Sequence, residues 1–293
     1  GVLQYSIRQA AEVESLMTSV ERVSSYGELE REDSLPDIMR SHEEQVKGKE
    51  CNLIPTGWPF EGKILVTGLQ LRYRQNLPFA LNGISFEVPA GHVLGIVGRT
   101  GSGKSSLMTS FFRLVEPCAG SIVIDGINIL DRERMPLSLL RRRLTVISQM
   151  PILFRGTLRS NVDPFGEYTD EEVLDCLDKC QLSRLTEAGR QGAISGGLNQ
   201  ADLLDVPVIE GGQNFSAGER QLICVARALL RKPKLLLLDE ASSNIDPETD
   251  AILQQMVREE FRSCTKIIIA HRLETVMDAN SILVLDAGRV LEH

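Results

Sequence analysis

Apolar side chains recur at mostly helical spacing over the first 25 residues: Val2, Leu3, Ile7, Ala10, Val13, Leu16, Met17 and Val20. Pro and interior Gly are absent there, so the spacing predicts one helix. The pattern then dissolves. Residues 28–50 hold eight acidic and four basic side chains with few large apolar ones, which suits a solvated linker. From Lys63 the texture changes again. Residues 63–73 and 80–88 alternate like strands, and Leu94 to Gly98 is a short buried strand running into a glycine loop. Further short β-rich runs fall at 121–124, 144–147, 235–238, 266–270 and 281–285, with helical patterns at 104–115, 170–180, 217–231 and 248–262. Strands alternating with helices predict an α/β sheet, mostly parallel and covered on both faces.

Composition changes this picture little. With 293 residues, 42% hydrophobic and 25% charged, the chain is long enough to bury a core. A net charge of −8 gives no basic surplus for nucleic acid or anionic lipid. The run Arg141, Arg142, Arg143 reads as a solvated helix face. Six cysteines form no C-x-x-C pair and read as reduced, intracellular thiols. No run reaches the roughly 18 apolar residues of a membrane span. The first residue is Gly1 and not Met, which reads as a segment of something longer.

The strongest chemical signal is Gly98-Arg99-Thr100-Gly101-Ser102-Gly103-Lys104-Ser105, which satisfies G-x-x-x-x-G-K-[ST] between a predicted strand and a predicted helix. Its glycines let backbone N–H groups wrap a phosphate, and the helix start adds its positive dipole end. Lys104 can reach the β and γ phosphates of ATP, and the Ser105 hydroxyl can bind Mg²⁺. Ser106 completes the loop.

A second signal is Leu235 to Leu238 followed by Asp239 and Glu240, an apolar strand ending in two carboxylates where a sheet opens its ligand crevice. Asp239 there can hold Mg²⁺ through water, and Glu240 can polarise an attacking water. Gln149 and His271 each follow a predicted strand. An amide at 149 could reach both metal and lytic water, and an imidazole at 271 the γ-phosphate. Singly, such residues are more often ordinary loop positions; only their joint placement raises them. Tyr73 is either an adenine-stacking ring or a half-buried strand aromatic.

With these residues assembled, the chain resembles an ABC-transporter nucleotide-binding domain. The decisive segment is Asn214-Phe215-Ser216-Ala217-Gly218-Glu219-Arg220-Gln221, which is similar to the signature usually written L-S-G-G-Q. The resemblance spans about residues 63 to 290. It implies an α/β fold: a P-loop NTPase (RecA-like) core with an antiparallel β subdomain and an α-helical signature subdomain. It also implies ATP with Mg²⁺ as ligands. Tyr73, Arg99, Thr100, Gly101, Ser102, Gly103, Lys104, Ser105, Ser106, Gln149, Asp239 and His271 would bind them, with Ser105, Gln149 and Asp239 at the metal. Catalysis would fall to Glu240, His271, Gln149 and Lys104.

In this family two such domains pack head to tail, and each signature caps the ATP of the other. Phe215, Ser216, Ala217, Gly218 and Glu219 would thus serve ATP in trans, with Asp246 in the loop crossing the interface. Glu210-Gly211-Gly212 resembles the exporter loop that touches membrane domains. Segments 98–106, 153–165 and 210–216 look like the second nucleotide domain of subfamily C, the multidrug-resistance-associated group. Residues 17–23 resemble the end of that group's last transmembrane helix. The implied organisation is 1–25 the end of that helix, 26–62 an acidic linker and 63–293 the nucleotide-binding domain.

The implied partners are a second nucleotide-binding domain and transmembrane domains at the cytoplasmic face of a membrane, with no nucleic acid and with a small transported molecule, such as an organic anion or conjugate, bound elsewhere. Two departures stand in the signature. Ala217 replaces the first glycine of the pair, and Glu219 replaces glutamine. A methyl crowds backbone near phosphate and a carboxylate repels it, so the ATP this signature caps is expected to turn over poorly and the ATP held by this chain to be the competent one. Two competing readings are a soluble ABC ATPase of DNA repair or translation, and a regulatory module that binds ATP without turnover. The acidic charge and exporter-like loop oppose the first, and Glu240 opposes the second.

Overall fold

A computed structural model describes residues 1–28, 54–182, 203–239, 245–270 and 276–293. It divides into two units, Gly1–Glu50 and Cys51–His293.

In the first unit, the predicted helix forms as α1 (Val2–Gly27), with its apolar residues exposed. No helix among the described residues is long and apolar enough to cross a membrane.

The second unit is built on two sheets. An antiparallel sheet orders β2 (Leu81–Val88), β1 (Ile64–Leu71), β4 (Ala119–Ile124) and β5 (Ile127–Asn128). A six-stranded sheet orders β12 (Arg289–Glu292), β11 (Ser281–Asp286), β3 (Val93–Gly98), β10 (Thr265–Ile269), β9 (Leu235–Asp239) and β6 (Thr145–Ile147). Its pairs are parallel except β11 with β12. The α/β class read from the sequence is therefore the observed one, and the antiparallel sheet is a separate layer.

Alternation along the central strands explains why they read as unbroken apolar runs. Leu235 and Leu237 of β9 face one core while Leu236 and Leu238 face the other, and Ile267 and Ile269 of β10 oppose Ile268 in the same way. One core lies between the two sheets with α2 (Lys104–Phe111). The other lies under α4 (Leu158–Val162), α5 (Asp170–Lys179), α6 (Ala217–Leu230) and α7 (Pro247–Glu259).

Several elements differ from the sequence pattern. α2 stops at Phe111, short of residue 115, because Arg113 takes a left-handed φ of 47° that ends the helix. α7 ends at Glu259, and Phe261 turns into the core. The short α3 (Leu137–Arg143), α4 and the paired β7 (Gly156–Thr157) and β8 (Pro207–Val208) offer too few residues for a periodic signal. Arg141 is no solvated face residue. Its Nε donates to Phe112 O at 3.0 Å and its Nη2 to Arg113 O at 3.2 Å, while Arg142 and Arg143 are exposed and Arg142 pairs with Glu167.

Packing extends ahead of Lys63. Trp58 is 1% exposed and donates from Nε1 to Ile124 O at 3.0 Å. The Asp125 carboxylate accepts backbone N–H bonds from Phe60, Glu61, Gly62 and Lys63 at 2.6–3.0 Å. The described cysteines are free thiols.

Candidate functional site

Four neighbouring parallel strands end at one edge of the large sheet, and each leads into a residue singled out from the sequence. β3 runs into the 98–105 loop, β10 toward His271, β9 ends in Asp239 ahead of Glu240, and β6 leads to Gln149. At roughly 4.8 Å between strands the four ends span about 14 Å, the scale of a nucleotide triphosphate. Glu240 and His271, with Ser243 and Asn244 ahead of Asp246, lie outside the described residues.

The loop is shaped for an anion. Gly103 caps α2 with φ 109°, and a Cβ there would stand 2.8 Å from Ala80 O and 2.9 Å from Leu81 Cδ2, so glycine is required. No side chain caps the start of α2. The four helices α4 to α7, by contrast, are each capped by a side chain: Thr157, Thr169, Ser216 and Asp246. A buried helix start with no cap leaves N–H donors for a ligand, and phosphate suits them.

Lys104 is buried and curls back, donating from Nζ to Gly98 O at 2.7 Å and Arg99 O at 3.1 Å. Burial pulls its ammonium below the ordinary lysine value, and Asp239 opposes that. Arg99, Thr100, Gly101 and Ser105 are exposed, and Ser106 is buried. Ser102 differs from its neighbours. Its N–H donates to Arg99 O at 3.1 Å and its hydroxyl is buried with no hydrogen-bond partner among the described residues. Tyr73 keeps 51% of its surface exposed and places its hydroxyl 3.0 Å from Ser106 Oγ, so the ring stands beside the phosphate loop.

The Ser105 hydroxyl and the Asp239 carboxylate are the donors that a Mg²⁺ shared with phosphates would use. Among the described residues no group of three or more His, Cys, Asp or Glu gathers at a point. Gln149 is exposed after β6.

The signature segment forms a second helix start. Ser216 caps α6 through a reciprocal box: its Oγ accepts from Glu219 N at 3.2 Å, and Glu219 Oε2 accepts from Ser216 N at 2.6 Å. The pattern S-x-x-E was readable in the sequence but was not used there. The Glu219 carboxylate is therefore engaged at the helix start, on the Ser216 N–H. Gly218 lies against Thr249 of α7, and Thr249 in turn is bound by Asp246, through N–H to Oδ1 at 2.9 Å and Oγ1 to Oδ2 at 2.8 Å. Phe215 donates from N to Gly212 O at 2.9 Å, and Ala217 opens the helix. Thr249, Gln221 and Arg227 were missed because no spacing rule marks them.

Residues 81–243, more than half of the chain, match the family described as ABC transporter. The chain belongs to that family. It is therefore an ABC-type nucleotide-binding ATPase domain, as the phosphate loop and signature implied. It is 44% identical over 292 residues to ABC transporter C family member 12 of Dictyostelium discoideum, covering 99% of this chain and 20% of that protein. It is 42% identical over 293 residues to human ATP-binding cassette sub-family C member 4, covering 100% of this chain and 20% of that protein. The chain thus spans about a fifth of the length of these curated relatives. A bacterial Atm1-family ABC exporter solved with ATP bound superposes with a TM-score of 0.68 at 31% identity, over 79% of this chain and 38% of that one. These relatives support the subfamily C resemblance and do not favour the DNA-repair or translation alternative.

Proposed function

We propose that this ABC domain binds ATP with Mg²⁺ in its own phosphate loop, hydrolyses it, and drives an exporter by pairing head to tail with a second nucleotide-binding domain. The observation that carries the reading is the convergence of the uncapped α2 start, buried Lys104 and Asp239 at one sheet edge. Lys104 would neutralise β and γ phosphates, and Ser105, Asp239 and Gln149 would share the metal. Glu240 would orient water, and His271 would hold the γ-phosphate. Tyr73 would stack on adenine. Ser216 to Glu219, with Asp246, would face the partner's nucleotide.

Residues 1–25 would then be the end of a last transmembrane helix, 26–62 a linker and 63–293 the second nucleotide domain, set at the cytoplasmic face of the membrane. The transported molecules would be organic anions or conjugates, the class that the subfamily C resemblance implies. Dimerisation with ATP would supply the stroke and hydrolysis would release it, a population shift set by γ-phosphate contacts.

The test uses the isolated chain in analytical ultracentrifugation with ATP and Mg²⁺. It is expected to bind nucleotide yet stay monomeric and nearly inactive, because half of each shared site is missing. A tight, active homodimer would overturn the pairing with a distinct partner domain.

A further inference from the structure

One stripe of α6, Gln221, Cys224 and Arg227, faces the segment that follows β6. Positions three apart share a helix face. Gln221, 1% exposed, donates from Nε2 to Ser148 O at 3.1 Å. Six residues on, Arg227 donates from Nε to Asn161 O at 2.8 Å and from both Nη atoms to Ile152 O at 3.4 Å. Between them on the same helix face lies Cys224, half-buried. Ser148 Oγ closes the turn with a bond to Met150 O at 2.8 Å.

The segment held in this way, 148–152, contains Gln149. Burial of the Arg227 guanidinium pulls it below its ordinary value, and its partners are backbone carbonyls. Burying an amide and a guanidinium is costly unless they are hydrogen-bonded, so these bonds fix the loop to the helix. The same helix begins at signature Ser216. Gln221 is five residues further on, about 7.5 Å along the axis at 1.5 Å per residue.

We propose that Gln221, seconded by Arg227, is a positioning residue that sets Gln149 in this chain's ATP site by tying its loop to the signature helix. A shift of α6 as its start engages the partner's nucleotide would carry Ser148, and with it Gln149, through one hydrogen bond. The two ATP sites of a head-to-tail pair would then be coupled within this chain, from Ser216 to Gln149. The inference rests on the role proposed above for Gln149.

The experiment is a double-mutant cycle on steady-state ATPase in the full-length transporter: wild type, Gln149→Ala, Gln221→Met and the pair. Methionine keeps the length of glutamine and removes the donor. Gln221→Met is expected to lower kcat about fivefold with KM for ATP within about twofold, the scale of one hydrogen bond. In the Gln149→Ala background it is expected to cause no further loss. Equal losses in both backgrounds, or an unchanged kcat in the single variant, would overturn the proposal while leaving the role of Gln149 standing. An unchanged kcat in Gln149→Ala would instead remove the ATP-site reading of Gln149, and this proposal with it. If Gln221→Met does not fold, Arg227→Lys takes its place in the cycle. It keeps the charge but cannot reach Asn161 O and Ile152 O together, and the same outcomes decide.

Discussion

Gly218 lies directly against Thr249: a Cβ at position 218 would stand 2.7 Å from Thr249 Cγ2 and 2.9 Å from its Oγ1. The signature helix and the helix capped by Asp246 therefore touch at a point where only glycine fits. Helix propensity alone would favour alanine there by up to about 1 kcal/mol, whereas overpacking costs about 1–3 kcal/mol. The clash wins. Gly218→Ala is expected to lower Tm by about 2–4 °C, and Thr249→Ser to restore part of it by removing the nearest methyl. A raised Tm for the single variant, measured by calorimetry, would show that the contact yields freely.

Glu219 closes a capping box with Ser216, and glutamine would close it equally well. Glu219→Gln is thus expected to keep the box and lower Tm by about 1–3 °C, the loss of the favourable charge–dipole contact, while removing a negative charge from the helix start. A charge there is worth about 0.3–1 kcal/mol, so turnover at the site capped by this signature should rise about two- to fivefold. The measurement is ATPase in a background where this chain's own site is disabled by Glu240→Gln. A further fall would refute the electrostatic account of the altered signature.

Tyr73 offers a half-exposed ring beside the loop and a hydroxyl to Ser106. Base stacking on an aromatic is worth about 1–3 kcal/mol, so Tyr73→Ala is expected to weaken ATP binding about tenfold or more, with Tyr73→Phe close to wild type. Equal weakening in both variants, seen by equilibrium titration, would assign the effect to the hydroxyl instead.

Asp125 anchors the approach to β1. Burial alone would raise its carboxyl, but the backbone N–H groups of Gly62, Glu61, Lys63 and Phe60 outweigh it and hold it below its ordinary value. A depressed carboxyl stabilises the fold at pH values above its unfolded value of about 3.9, and the gain is lost as pH falls through the lower folded value. Asp125→Asn is expected to cost about 1 kcal/mol in urea unfolding at pH 7. The gap to wild type should stay level down to about pH 4 and close below it. A gap that widens in acid would contradict this sign.

Much of this was legible beforehand, for physical reasons. β9 and β10 are buried on both faces, so their strands appear as unbroken Leu and Ile, and the glycine loop follows a strand as the motif demands. The capping box at Ser216 was written in the sequence but reads as signature residues first. Arg227 and Gln221 were not legible, because their bonds reach segments 66 to 75 residues away. Asp125 was hidden for the same reason: its Asp-Gly pair signals a turn, yet its donors lie 62 to 65 residues earlier.

Most direct of all is steady-state ATPase of the full-length transporter carrying Glu240→Gln, with ATP binding measured alongside. Loss of a positioned general base removes about 100-fold or more in rate. Turnover at this chain's site is predicted to fall by that factor while ATP still binds, since Lys104 and the α2 start are untouched. Unchanged turnover would contradict the claim that this domain burns the ATP it holds.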